Sequence, residues 1–225
     1  MNGFPERTCA FLANLARNND RAWFDAYKAR YQTDWLEPAV AFVSALSDHM
    51  AGLTPPHKAE ARVNGSIRRL HRDTRFSKDK TPYDPKLHLI FWTGDHPNRS
   101  PAIHVVLHPD RLGMGAGHFA MSPSELDRYR NSVAHDALAR GELVECLEQL
   151  GAHGCNLTEE TLKRVPKGFE IQPNNETLLK RKGLVARTHQ TAFAPEHICD
   201  TAQMRSFFDA AAGLNQWLHE RVVQT

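Results

Sequence analysis

The densest run of side chains able to do chemistry is Arg72-Asp73-Thr74-Arg75-Phe76-Ser77-Lys78-Asp79-Lys80-Thr81-Pro82-Tyr83. Widened to Arg68–Lys80, it holds six basic residues (Arg68, Arg69, Arg72, Arg75, Lys78, Lys80) against two acidic ones (Asp73, Asp79). With His71 counted neutral that is a local balance of +4, in a chain whose formal net charge is only +2. A positive field so concentrated attracts anions, since guanidinium forks fit phosphate or carboxylate bidentately and lysine adds a point charge. Candidate ligand-binding residues are therefore Arg72, Arg75, Lys78 and Lys80 for an anion, with Thr74 and Tyr83 as hydrogen-bond donors. Asp73 and Asp79 admit two roles. They can pair with the arginines as an internal ion-pair lattice that pins the loop, or act beside His71 as base or metal ligand in a phosphoester hydrolase or nuclease. Lattice and anion site both stand open.

Pro82 and Pro85 bar a regular helix through the end of this run, so it must leave a strand and become a loop. Two motif matches within it are accidental. His71-Arg72-Asp73 imitates a kinase catalytic loop, but Lys78 stands where the metal-binding asparagine belongs and no Asp-Phe-Gly follows. Ser77-Lys78-Asp79-Lys80 fits the Ser-x-x-Lys of penicillin-recognising enzymes without their companion motifs.

The run Arg72–Tyr83 resembles the signature of the bacterial and fungal domain-of-unknown-function family numbered 2461. So do Phe11-Leu12-Ala13-Asn14-Leu15 with Asn18-Asn19-Asp20-Arg21-Ala22-Trp23-Phe24, and the later block Leu162-Lys163-Arg164-Val165-Pro166-Lys167-Gly168-Phe169. The resemblance spans nearly the full length. It implies a single α+β domain over 1–225 and carries no activity with it. Asp84 departs from the basic or polar residue expected after the tyrosine.

Two further features could build a site. Gly113-Met114-Gly115-Ala116-Gly117 lacks the spacing of a dinucleotide or Walker loop. In a strand its three glycines share one face and leave a flat strip that a helix, a ring or a ligand can approach, and packing of a helix or ring is the simpler use. If the 72–83 loop folds over that strip, the two make one pocket. His104 and His108 lie four apart on an expected strand, with His88 and His118 on neighbouring ones, so imidazoles could gather on one sheet face. No carboxylate is spaced to join them, and among thirteen histidines such coincidences are common. No metal and no cofactor is expected.

The elements that must position these groups follow from periodicity. Helices are expected from Phe4-Pro5-Glu6, from Asp20 as a cap (with Phe24, Tyr27 and Tyr31 as its stripe), and around Pro38 with Leu36, Val40, Val43 and Met50 buried. Strands follow at Ser66–His71, Leu87–Thr93, Ala102–His108 and Leu112–Ala120, joined by short links that favour antiparallel pairing. Ser122-Pro123-Ser124-Glu125 is a capping box for a helix through Val133 and Leu138 to about Gly141. Another helix is expected from Glu142, a short basic one capped by Asn174, a strand at Leu184–Thr188, and terminal helices from Asp200. The fold class is α+β, a mainly antiparallel sheet of four to five strands packed against N-terminal and C-terminal helices.

Composition bounds the partners. Of the 225 residues 41% are hydrophobic and 24% charged, which suits a globular core, and the near-neutral balance disfavours a general duplex-DNA binder. Cys9, Cys146, Cys155 and Cys199 are scattered, as reduced thiols are. No apolar run approaches the roughly 18 residues of a membrane span. The expectation is a cytoplasmic protein without a membrane partner, binding an anionic small molecule or single-stranded nucleic acid. The alternatives are a structural or protein-interaction domain and a hydrolase.

Overall fold

The structure is a computed structural model, and it describes residues 3–188 and 193–224. Both ends of the 1–225 span, Met1, Asn2 and Thr225, lie outside the described residues.

Helix α1 (Glu6–Arg17) buries Cys9, Phe11, Leu12 and Leu15, the three-and-four spacing of one helical face. Asp20 caps α2 (Arg21–Ala26), its carboxylate accepting from the Trp23 backbone N–H at 2.8 Å. That helix is shorter than its aromatic stripe suggests. It gives way to a single turn, α3 (Lys28–Arg30), then to a π-helical turn at Tyr31–Leu36 and the long α4 (Glu37–Gly52). Tyr27, at the break between α2 and α3, is exposed and stacks on Trp23 with ring centres 4.6 Å apart. In α4 the buried side is Ala39, Phe42, Val43 and Met50, with Leu36 and Val40 only partly covered.

The described residues form one five-stranded antiparallel sheet in the order β1-β2-β3-β5-β4. Its strands are β1 (Leu87–Trp92), β2 (Ala102–Leu107), β3 (Leu112–His118), β4 (Cys155–Leu157) and β5 (Leu184–Thr188). The segment expected as a strand at Ser66–His71 runs beside β1 and the chain that precedes it through isolated bridges, Ile67 opposite Leu89 and His71 opposite Tyr83, and is not a regular strand. β4 is too short to show a period in the sequence.

α5 (Pro123–His135) starts on the expected Ser122/Glu125 capping box. It stops six residues before the expected Gly141, because Asp136 caps a new helix, α6 (Ala137–Ala152), by accepting from Ala139 N–H at 2.9 Å. Leu138 is accordingly exposed. The short α7 (Glu176–Leu179) is flanked by Asn175 instead of Asn174, which takes a left-handed φ of 65°. α8 (Thr201–Leu218) is capped by Asp200 and buries Met204, Phe207, Phe208, Leu214 and Trp217.

Strand alternation divides the sheet into two faces. Leu87, Leu89 and Phe91 pair with Leu107, Val105 and Ile103, which pair in turn with Leu112, Met114 and Ala116. This face is buried under the helices, Phe91 meeting Phe208 of α8 edge-on at 5.9 Å. Each fully buried Leu, Ile, Val or Phe here contributes about 1.5–3 kcal/mol. The helices leave the other face free to build a site.

Candidate functional site

The 72–83 stretch is the tip of a hairpin. Its arms are joined by backbone bonds from Arg68 N–H to His88 O, Asp84 N–H to Leu70 O and Arg72 N–H to Pro82 O. Tyr83 is buried and stacks on Phe24 at 4.4 Å, and its backbone N–H and carbonyl are both bonded by the Asn19 side chain at 3.0 and 2.9 Å. At the tip, cations meet partners from the loop itself. Arg72 donates to the Asp79 carboxylate and to Thr81 Oγ1, Arg75 to Asp73 at 2.6 and 3.0 Å, and Lys80 Nζ to Thr74 O at 2.9 Å. The Arg75 guanidinium holds the Asp73 carboxyl down at about 2. The Thr81 backbone N–H, with Arg72, does the same for Asp79. Lys78 is exposed and makes no ion pair among the described residues. The loop thus brings Arg72, Asp79 and Thr81 together, and Arg75 with Asp73, in two separate exposed clusters.

The free face of the sheet carries a cavity of about 670 Å³. Its floor is the expected glycine strip, Gly113, Gly115 and Gly117 of β3. Register places one row across the strands as His104, Gly115 and Arg187, and another as His88, Val106 and Gly113. His104 and Arg187 therefore stand two strand spacings apart, about 10 Å, with bare backbone between them. Arg68 from the hairpin arm, Lys86 before β1 and Arg111 from the β2–β3 turn complete a set of four cations. Among the described residues that line the cavity, none is acidic. Lys86 and Arg111 touch carboxylates from outside it, Asp84 at 2.8 Å and Asp110 at 3.0 Å, and Arg68 donates to the Asn98 amide oxygen. Arg187 is exposed and unpaired among the described residues.

Two of the three glycines are required by strand packing. A Cβ on Gly115 would lie 2.9 Å from Ala186 O. At Gly117, with φ of 133°, it would run into Leu184 O. Gly113 has no such neighbour: a Cβ there meets only ordinary contacts, the nearest at 3.8 Å. Its effect is to extend the bare floor of the cavity.

Residues 7–217 match the family model described as conserved hypothetical protein (DUF2461). The chain belongs to the DUF2461 family. No curated protein matches it. In this DUF2461 protein the matched span includes both the hairpin tip and the whole described cavity lining.

Within the cavity His88 Nε2 and His104 Nδ1 are hydrogen-bonded at 2.9 Å. Burial, then His104 and the nearby Lys86 and Arg68, pushes His88 down to about 3; burial, then Arg68, pushes His104 down to about 4. His108 is also lowered, by burial and Arg111. At neutral pH the pair is uncharged, and whichever ring carries the shared proton, it presents one outer donor and one outer acceptor. His118, expected on the same face, lies on the other side, buried and 3.4 Å from Glu125 Oε1. Among the described residues no three His, Cys, Asp or Glu side chains gather as a metal site.

Of the DUF2461 chain's cavity residues, the glycine strip and His88, His104 and His108 carry a signal in the sequence. Lys86, Arg111 and Arg187 do not. They come from three distant segments, and only the sheet register makes them neighbours. The basic run Lys180–Lys182 stays apart from them, Lys180 pairing with Glu176 and Glu160 and Arg181 donating to Thr158 O.

Proposed function

We propose that this DUF2461 protein is a binding module for a phosphate-bearing or otherwise anionic small molecule, held on the free face of the sheet. One observation carries the reading: a cavity of about 670 Å³ is lined by four cations and, among the described residues, by no carboxylate. Cavities of this size take small ligands, and a sheltered positive field strengthens anion contacts. Arg187, Arg68, Lys86 and Arg111 are the anion ligands in this reading, with the neutral histidine pair as a hydrogen-bonding partner. All four cysteines are free thiols, which fits residence in the reducing cytoplasm.

The 72–83 loop takes the second role the sequence allows, an ion-pair lattice. The pairing of Arg72 with Asp79 and of Arg75 with Asp73 favours it. Titration calorimetry with pyrophosphate at low salt separates the two. Under the proposal, Arg187→Gln weakens binding at least about ten-fold, the scale of a hydrogen bond to a charged group, while Arg75→Ala/Lys78→Ala retains it. Loss of binding in the loop variant with retention in Arg187→Gln returns the anion site to the loop.

A further inference from the structure

The two ends of the cavity differ in chemistry. The register aligns Leu87, Leu107 and Leu112 at one end, and the residues next to them, Lys86, His108 and Arg111, line the cavity there. At the other end Trp92, Ala102 and Gly117 align, and the lining comes from Asn98 and Ser100 of the β1–β2 connection and from Phe119, which follows β3. Five residue steps separate the ends, about 17 Å along the strands. One end carries Lys86 and Arg111. The other offers an aromatic ring, an amide and a hydroxyl, with the Arg68 guanidinium on the amide oxygen.

Phe119 is 84% exposed although it lines a cavity. A large aromatic side chain uncovered beside a concave site is available to stack on a bound ring. Its backbone packs closely on Gly183, where any side chain would collide with the Phe119 carbonyl. The ring is presented next to a floor with no side chains. Bare backbone and a free aromatic face together suit a flat ring, which stacks without regard to its identity. The Asn98 oxygen is engaged by Arg68, which leaves the Asn98 NH₂ as a donor for the edge of such a ring.

We infer that the ligand is a nucleotide, with its phosphate among Arg187, Lys86 and Arg111 and its heteroaromatic ring towards the Gly117 end of the floor, against Phe119. This rests on the anion-binding reading and adds the ring to it.

The test is calorimetric titration of the intact protein and of Phe119→Ala with adenosine 5′-monophosphate, cytidine 5′-monophosphate, ribose 5-phosphate and pyrophosphate. The exposure of Phe119 makes the variant harmless to the fold, and an unchanged melting temperature checks this. Both nucleotides are expected to bind about ten-fold or more tightly than ribose 5-phosphate, the scale of base stacking on an aromatic side chain. Phe119→Ala should erase that margin and leave ribose 5-phosphate and pyrophosphate unaffected. If ribose 5-phosphate binds as well as either nucleotide, or Phe119→Ala leaves nucleotide affinity unchanged, the inference is overturned while the anion reading stands. If none of the four binds, both fall.

Discussion

His88 and His104 face each other across adjacent strands, Nε2 to Nδ1 at 2.9 Å, on the same side of the sheet as Arg187. Two half-buried imidazoles in contact beneath a cationic rim cannot both charge cheaply, because burial and the surrounding cations oppose protonation alike.

That relationship fixes a pH dependence. In the unfolded chain both rings titrate near about 6.5, whereas in the folded protein they titrate near about 3 and about 4. The unfolded state therefore binds more protons as pH drops below 6.5, and stability falls progressively from there towards the folded values. Buried His57 adds to the same slope. Its Nδ1 lies 2.8 Å from Pro55 O and its Nε2 2.9 Å from the Asn215 amide nitrogen, and burial pushes it down to about 4. Melting temperatures measured from pH 7.5 to 5 should decline, and His88→Asn/His104→Asn should flatten the decline. Imidazole proton resonances of His88 and His104 that titrate near 6.5 in the folded protein would sink the argument.

The glycines of β3 should respond differently to substitution. Gly117→Ala combines an unfavourable φ with a collision against Leu184 O and should cost at least about 2 kcal/mol in denaturant unfolding. Gly113→Leu meets only ordinary contacts near its Cβ and should fold normally while filling the floor of the cavity. Pyrophosphate binding should then be lost with little change in unfolding midpoint. Retained binding would show that the ligand does not rest on this strip.

The hairpin should divide at its neck. Asn19→Ala removes both bonds to the Tyr83 backbone and leaves those groups unpartnered, a loss of about 1–3 kcal/mol. Arg75→Ala breaks a pair whose arginine side chain is 76% exposed, and such pairs are screened by water. Its melting temperature should match the wild type. A sharp drop for Arg75→Ala, with none for Asn19→Ala, would mean that the lattice at the tip holds the hairpin and not its aromatic neck.

How much of this was legible beforehand depends on the range of the interaction. The Asp20, Ser122 and Asp200 caps and the strands at Leu87, Ala102 and Leu112 are local matters of propensity and period, and the sequence shows them plainly. The end of α5 was harder, because a capping aspartate at 136 competes with an apolar pattern that runs on through Leu138. Tyr83 reads as a polar group in a basic loop, yet stacking on Phe24, distant in sequence, makes it core. The cavity was half visible. Its glycines and histidines are conspicuous along the chain, whereas Arg187 joins them only because β5 inserts next to β3. In the charge run that dominates the sequence, Arg72 and Arg75 are matched by its own two aspartates. Of the cations around the glycine strip, Arg68 falls within that run, whereas Lys86, Arg111 and Arg187 are dispersed along the chain and escape any local count.

The most direct measurement is a backbone amide NMR titration with pyrophosphate, in which the three strip glycines report from the cavity floor. The account predicts saturable shifts at Gly113, Gly115 and Gly117, together with His104 and Arg187, and none beyond the general ionic-strength effect at Arg75–Lys80. Shifts confined to residues 72–81, with the β3 glycines unmoved, would contradict it.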